Sequence, residues 1–190
     1  KRQLFASCRM MPHRLLSALR DHGAWSVFLL AFAIRLLVLI QFSHSPHFIP
    51  DGDDMKFYSD WGLRIAHGQW TDHKAFYGLP GYAFCLAAIY KVSGGLDPFF
   101  AGLLQALMDA GVATLIYLIA RTVFAATPEE SGERLAAARP HVIGIGAALS
   151  WMGFAPAQAF SMILMPTIWV VLAYYFCVWW AVKTERSTSW

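Results

Sequence analysis

Apolar residues along this chain gather in long runs, at residues 24–42, 99–120 and 142–182, with most of the charged residues clustered between them. Such runs leave no polar face, so they show neither the spacing of a surface helix nor the alternation of a half-buried strand. A bilayer core is crossed by roughly 20 apolar helical residues. The first two runs predict one crossing each, and the third is long enough for two, giving spans at about 24–43, 99–120, 141–157 and 166–182. The fold class that follows is an all-α integral membrane protein with about four transmembrane helices.

Between the spans the signals are shorter. Residues 81–92 are apolar over about a dozen positions, too few for an ordinary span. They predict an interfacial or re-entrant helix with Tyr82, Phe84 and Tyr90 at headgroup depth. That helix belongs to a long first loop, residues 44–98. Residues 121–140 mix Glu129, Glu130 and Glu133 with arginines and carry Pro128 and Gly132, the pattern of a plain connector. A turn is expected over residues 156–165. No repeat, low-complexity tract or soluble domain interrupts this order, so residues 24–183 read as one membrane domain between a leader, residues 1–23, and a short tail, residues 184–190.

Charge orients these elements. The chain is 57% hydrophobic and 14% charged, and most of its net charge of +3 sits in the leader with Lys1, Arg2, Arg9, Arg14 and Arg20. The positive-inside rule explains that excess without a nucleic-acid partner, and it puts both ends in the cytoplasm and residues 44–98 outside. A long basic leader before a full-length span reads as an uncleaved anchor. Cys8, Cys85 and Cys177 are odd in number and widely spaced, which implies neither a disulfide nor a metal site.

Candidate chemistry concentrates in the outer loop. Residues 50–61 read PDGDDMKFYSDW and hold Asp51, Asp53, Asp54 and Asp60, a third of the chain's twelve acidic residues. A helix starting near Asp53 would bring Asp54, Tyr58 and Trp61 onto one face, with an acid beside two aromatic rings. Asp51 or Asp53 would cap it. The plainer alternative is that these aspartates are caps and solvated loop charges. Asp51-Gly-Asp53 matches the acid-x-acid pattern of nucleotide-sugar transferases, but no α/β domain accompanies it. His44, His47, His67 and His73 share the loop without a known ligand spacing, which leaves a divalent metal open and assigns none. Lys74 and Tyr77 precede Gly78-Leu79-Pro80-Gly81-Tyr82, a rigid turn. Lys74 would meet a phosphate or simply lie at the surface.

Two charges fall inside spans, Arg35 and Asp109, where an unpaired charge costs about 2.5 to 3.5 kcal/mol or more. Gln105 lies one turn from Asp109. The expectation is an Arg35, Asp109 and Gln105 network between helices. A transport role would call for more ionisable groups along several spans.

These residues together resemble a known family, the membrane glycosyltransferases of the GT-C superfamily, in particular bacterial relatives of protein O-mannosyltransferases and of the aminoarabinose transferase acting on lipid A. The resemblance rests on Arg35 in the first span, Asp54 four residues before Tyr58, the segment WGLRIAHGQW from Trp61, the turn over residues 76–82, and LQALMDA from Leu104 with Arg121 closing that span. It implies localisation in the cell's inner membrane. It also implies a sugar donor linked to polyprenyl phosphate and a lipid, glycan or protein acceptor. Asp54 would be the catalytic base, with Tyr58, Trp61, Lys74 and Tyr77 binding substrate. Two departures stand out. No acid lies between His141 and Lys183, where the family often has one near Met165 to Thr167, and relatives have many more spans. The alternative is a truncated, non-catalytic membrane protein derived from such an enzyme.

Overall fold

The structure, a computed structural model, describes residues 13–70, 78–125 and 134–188. Seven α-helices make up nearly all of it: α1 His13–Ser43, α2 Asp53–Ala66, α3 Pro80–Ser93, α4 Pro98–Val123, α5 Arg134–Met152, α6 Ala155–Met162 and α7 Thr167–Thr188. No strand occurs among the described residues. Prolines open α3, α4 and α6, where a missing N–H goes unnoticed. Asp97 caps α4 by accepting from Phe99 and Phe100 at 3.0 and 3.2 Å. Gly94, at φ 82°, ends α3 in the left-handed region that favours glycine.

Three stretches, His22–Ser43, Pro98–Val123 and Thr167–Arg186, are long and apolar enough to cross a membrane. Ala138–Met152 and Ala155–Met162 qualify only together, as a fourth crossing bent by 58°. The expected span at residues 141–157 is therefore broken at Gly153. The bounds differ elsewhere too. α1 begins well inside what reads as a leader, and α5 begins before Pro140 because Leu135 to Ala138 are strong helix formers. The central part of the predicted connector, with Pro128, Glu129, Glu130, Gly132 and Glu133, lies outside the described residues.

α4 is the central helix. Of its best apolar stretch 39% is buried, against 6% for α7, so α7 lies at the periphery. α1 runs antiparallel to α4 and approaches it closely at two glycines. A Cβ on Gly102 would meet the Leu39 side chain at 2.6 Å, and one on Gly23 would meet the Tyr117 hydroxyl at 2.3 Å. Small residues at such crossings let backbones approach. Tyr117, fully buried, also packs on Gly144 of α5 and bonds His141 at 2.9 Å. α7 runs parallel to α4, and Arg186 donates to the Val123 carbonyl at 3.2 Å near the end of α4.

α2 and α3 form a separate antiparallel hairpin. Tyr58, Trp61, Ile65, Tyr82, Ala83, Leu86 and Tyr90 bury their side chains in its seam. Gly62 lets α2 press against Leu86, where an added Cβ would come within 2.8 Å. Helical periodicity turns Tyr82 and Tyr90 inward with Leu86, and of the three aromatics of α3 only Phe84 is exposed.

Candidate functional site

Asp54 stands in the first turn of α2 and is exposed, as are Asp51, Asp53 and Asp60. Neither Asp51 nor Asp53 caps the helix as expected. Gly52 is the N-cap, with no side-chain bond to it, and Asp53 sits at φ 48°. That left-handed backbone is tolerated by aspartate better than by most residues. It costs about 1–3 kcal/mol, which the surroundings must offset.

Asp54, Tyr58 and Trp61 share one stripe of α2, but they meet different surroundings. The hydroxyl of Tyr58 accepts from the Leu79 amide at 3.1 Å, and its ring stands edge-on to Tyr82 at 5.1 Å. Gly78, at φ 97°, lies so close that a Cβ there would meet the same hydroxyl at 2.8 Å. Trp61 is packed beside Phe57 in the hairpin core. Both rings therefore build the hairpin and leave little surface for a substrate. Lys74, Tyr77 and His73 lie outside the described residues. No group of three or more His, Cys, Asp or Glu side chains placed to hold a metal occurs among the described residues.

Deeper in the bundle the polar residues form two junctions. Arg35 and Asp109, both fully buried, pair through Nε and Oδ2 at 2.5 Å. Arg35 also donates to the carbonyls of Met152 at 3.0 Å and Trp151 at 3.4 Å, and the Trp151 indole donates to Asp109 Oδ1 at 3.1 Å. Those carbonyls belong to the last turn of α5, where intrahelical partners run out. A cation there also meets the negative end of the helix dipole. Gln158 adds a bond to Met152 O at 2.9 Å. Arg35 thus caps a helix that stops level with Asp109, about eleven residues along α4, or roughly 16 Å from its start at 1.5 Å per residue.

Gln105 does not join this pair. One turn nearer the hairpin, its Nε2 donates to the carbonyls of Ser161 at 3.1 Å and Ile163 at 2.8 Å, and its Oε1 accepts from the Tyr82 hydroxyl at 2.7 Å. It serves α6 as Arg35 serves α5. A break at mid-bundle is viable in a bilayer only where protein groups satisfy the freed backbone. Arg35, Gln158 and the Phe154 amide supply that at the break itself, and Gln105 does so at the far end of α6.

Burial pushes the Tyr82 phenol well above the ordinary tyrosine range, with the neighbouring Tyr90 and Tyr58 adding to the effect. Burial raises Tyr90 as well, against a hydrogen bond from Ser59, and it raises the Cys85 thiol.

Three participants escape sequence reading: Tyr82, which joins the hairpin to α4, Trp151, which holds Asp109, and Trp169, whose ring meets that of Tyr82 edge-to-face at 6.2 Å. Gly153 three residues before Pro156 is the one local signal for the break. In comparison with known proteins, no family model, curated protein or solved structure matches the chain.

Proposed function

We propose that this chain is the membrane-embedded part of a glycosyltransferase working at the outer face of the cell's inner membrane, with both its ends cytoplasmic. It moves a sugar from a polyprenyl-phosphate donor to a lipid, glycan or protein acceptor. Asp54 takes the proton from the acceptor hydroxyl or amine as that group attacks the anomeric carbon. The new bond forms at that carbon, the bond to the phosphate oxygen breaks, and the electron pair leaves on polyprenyl phosphate. A carboxylate within direct reach of the acceptor suits this step, and Lys74 is the proposed partner for the leaving phosphate.

The observation that carries the reading is the setting of Asp54. It is an exposed acid on the first turn of a helix whose later positions, Tyr58, Trp61 and Ile65, are locked into packing. A base must be open to substrate yet held in place, and this one is both. The same packing favours a second reading, a non-catalytic membrane scaffold, because Tyr58 and Trp61 are engaged within the hairpin.

Native membranes supplied with a radiolabelled polyprenyl-phosphate sugar separate the two readings. In the intact protein, Asp54→Asn is expected to abolish transfer with no loss of membrane level, and Asp51→Asn to be milder. Transfer at the wild-type rate in Asp54→Asn would refute the assignment and leave the scaffold.

A further inference from the structure

The hairpin that bears Asp54 meets the rest of the protein at few places. α2 packs on α3, and α3 reaches the bundle through Tyr82, with Ala101, Leu164 and Trp169 around it. Tyr82 has one polar contact, its bond to Gln105 at 2.7 Å, and both residues are almost wholly buried.

The orientation of the Gln105 amide is determined by its surroundings. Its NH₂ faces two carbonyls, those of Ser161 and Ile163, and a flipped amide would set oxygen against both. Gln105 therefore presents only its oxygen to the hairpin, from a point pinned to the end of α6. On the other side, the Tyr82 ring touches the Tyr58 ring, four residues along α2 from Asp54. A shift at Tyr82 passes to the start of α2 through one ring contact. The seam is otherwise poorly bonded. The indole N–H of Trp169 is buried there with no hydrogen-bond partner, so among the described residues apolar packing and the Tyr82 bond hold the pose.

We propose that the Tyr82–Gln105 hydrogen bond is a latch that sets where the Asp54 hairpin stands on the bundle, making Tyr82 and Gln105 positioning residues for sugar transfer. The inference rests on the reading of Asp54 as the base. The latch itself is measurable without it.

The test is Tyr82→Phe in the intact protein, with Tyr90→Phe as its control. Tyr90 bonds Ser59 at 3.3 Å within the hairpin, so its loss loosens the hairpin and leaves the latch alone. The first readout is the maleimide labelling rate of Cys85, a half-buried thiol one turn after Tyr82, followed by the mass of its peptide. The second is kcat against donor KM. Tyr82→Phe is expected to raise Cys85 labelling several-fold and lower kcat by roughly ten- to a hundredfold, the scale of a misplaced catalytic group, with KM nearly unchanged. Tyr90→Phe should do neither. Should Tyr82→Phe fail to reach the membrane, Gln105→Asn withdraws the same amide by one methylene and takes its place. Equal labelling in the Tyr82 and Tyr90 variants overturns the latch. Raised labelling only in Tyr82→Phe, with Asp54→Asn fully active, retains the latch and removes the catalytic reading beneath it.

Discussion

Replacing Arg35 by leucine is expected to be among the most damaging single changes in this chain, and replacing Asp109 at the same time is expected to relieve part of the damage. Arg35→Leu leaves the Asp109 carboxylate buried with only the Trp151 indole, while Trp151 O keeps the Phe154 amide and Met152 O keeps Gln158. Breaking a buried pair from one side costs roughly 3–5 kcal/mol, because a charge is left without compensation. Asp109→Leu strands Arg35 against two carbonyls and is expected to fall in the same range. The double variant carries no buried charge. What remains is the Trp151 indole N–H without its acceptor, a neutral group worth about 1–3 kcal/mol in soluble proteins and about 0.6 kcal/mol between membrane helices, together with the lost Arg35 bonds to the end of α5. Its cost is therefore expected near 1–3 kcal/mol, below either single change but above zero. Unfolding in mild detergent micelles, titrated with dodecyl sulfate and followed by circular dichroism, gives all four corners of the cycle. Strict additivity would show that the two charges do not depend on one another. Complete rescue would show that the capping of α5 contributes nothing.

Other outcomes follow from the same contacts. Gly144→Ala places a Cβ 3.0 Å from the Tyr117 carbonyl, a backbone atom that has little room to yield, and should lower stability by about 1–3 kcal/mol; Gly111→Ala, which meets only the tip of Leu172 at 3.3 Å, should be far milder in the same assay. Gly78→Ala combines a left-handed backbone with a clash against the Tyr58 hydroxyl, so limited proteolysis should cut the hairpin faster in that variant. The folded-state pKa values of Tyr82 and Tyr90 lie above the unfolded value of about 10. Their contribution is thus complete below pH about 10 and is lost as pH rises through the folded values. Phenolate absorbance should show these two ionising last, together with loss of helix, and early ionisation of all tyrosines without unfolding would contradict their burial.

Much of the helical order is legible in the apolar runs. The stretches His22–Ser43, Pro98–Val123 and Thr167–Arg186 lie over three of the predicted spans because the few polar residues within them leave the runs strongly apolar. The break between α5 and α6 is harder to see. Residues 142–182 carry no charged residue, and a helix end inside such a run is decided largely by distant side chains able to donate to its carbonyls. The proximity of Arg35 and Asp109 can be read from the cost of burying either alone. Gln105 cannot be assigned that way, since a neutral amide one turn from Asp109 has no charge to direct it, and its partners Tyr82, Ser161 and Ile163 are remote in sequence. Around Asp54 the stripe with Tyr58 and Trp61 is legible from helical spacing. That the rings turn into α3 depends on Leu86, Ala83 and Gly62, which only the packed hairpin brings together.

The break also bears on how the chain is assembled in the cell. Residues 138–162 emerge from the ribosome after α1 and α4, and taken alone they would enter lipid with the Trp151 and Met152 carbonyls held only by the Phe154 amide and Gln158, and with the Ser161 carbonyl open. The groups that add to these bonds, Arg35 at the end of α5 and Gln105 at the end of α6, belong to helices already synthesised. The segment is thus a poor client for release from the translocon by hydrophobicity alone, and its integration waits on a preformed α1–α4 pair. Biogenesis acquires a fixed order, in which a fault in the first hairpin of spans would surface as failed insertion of the third.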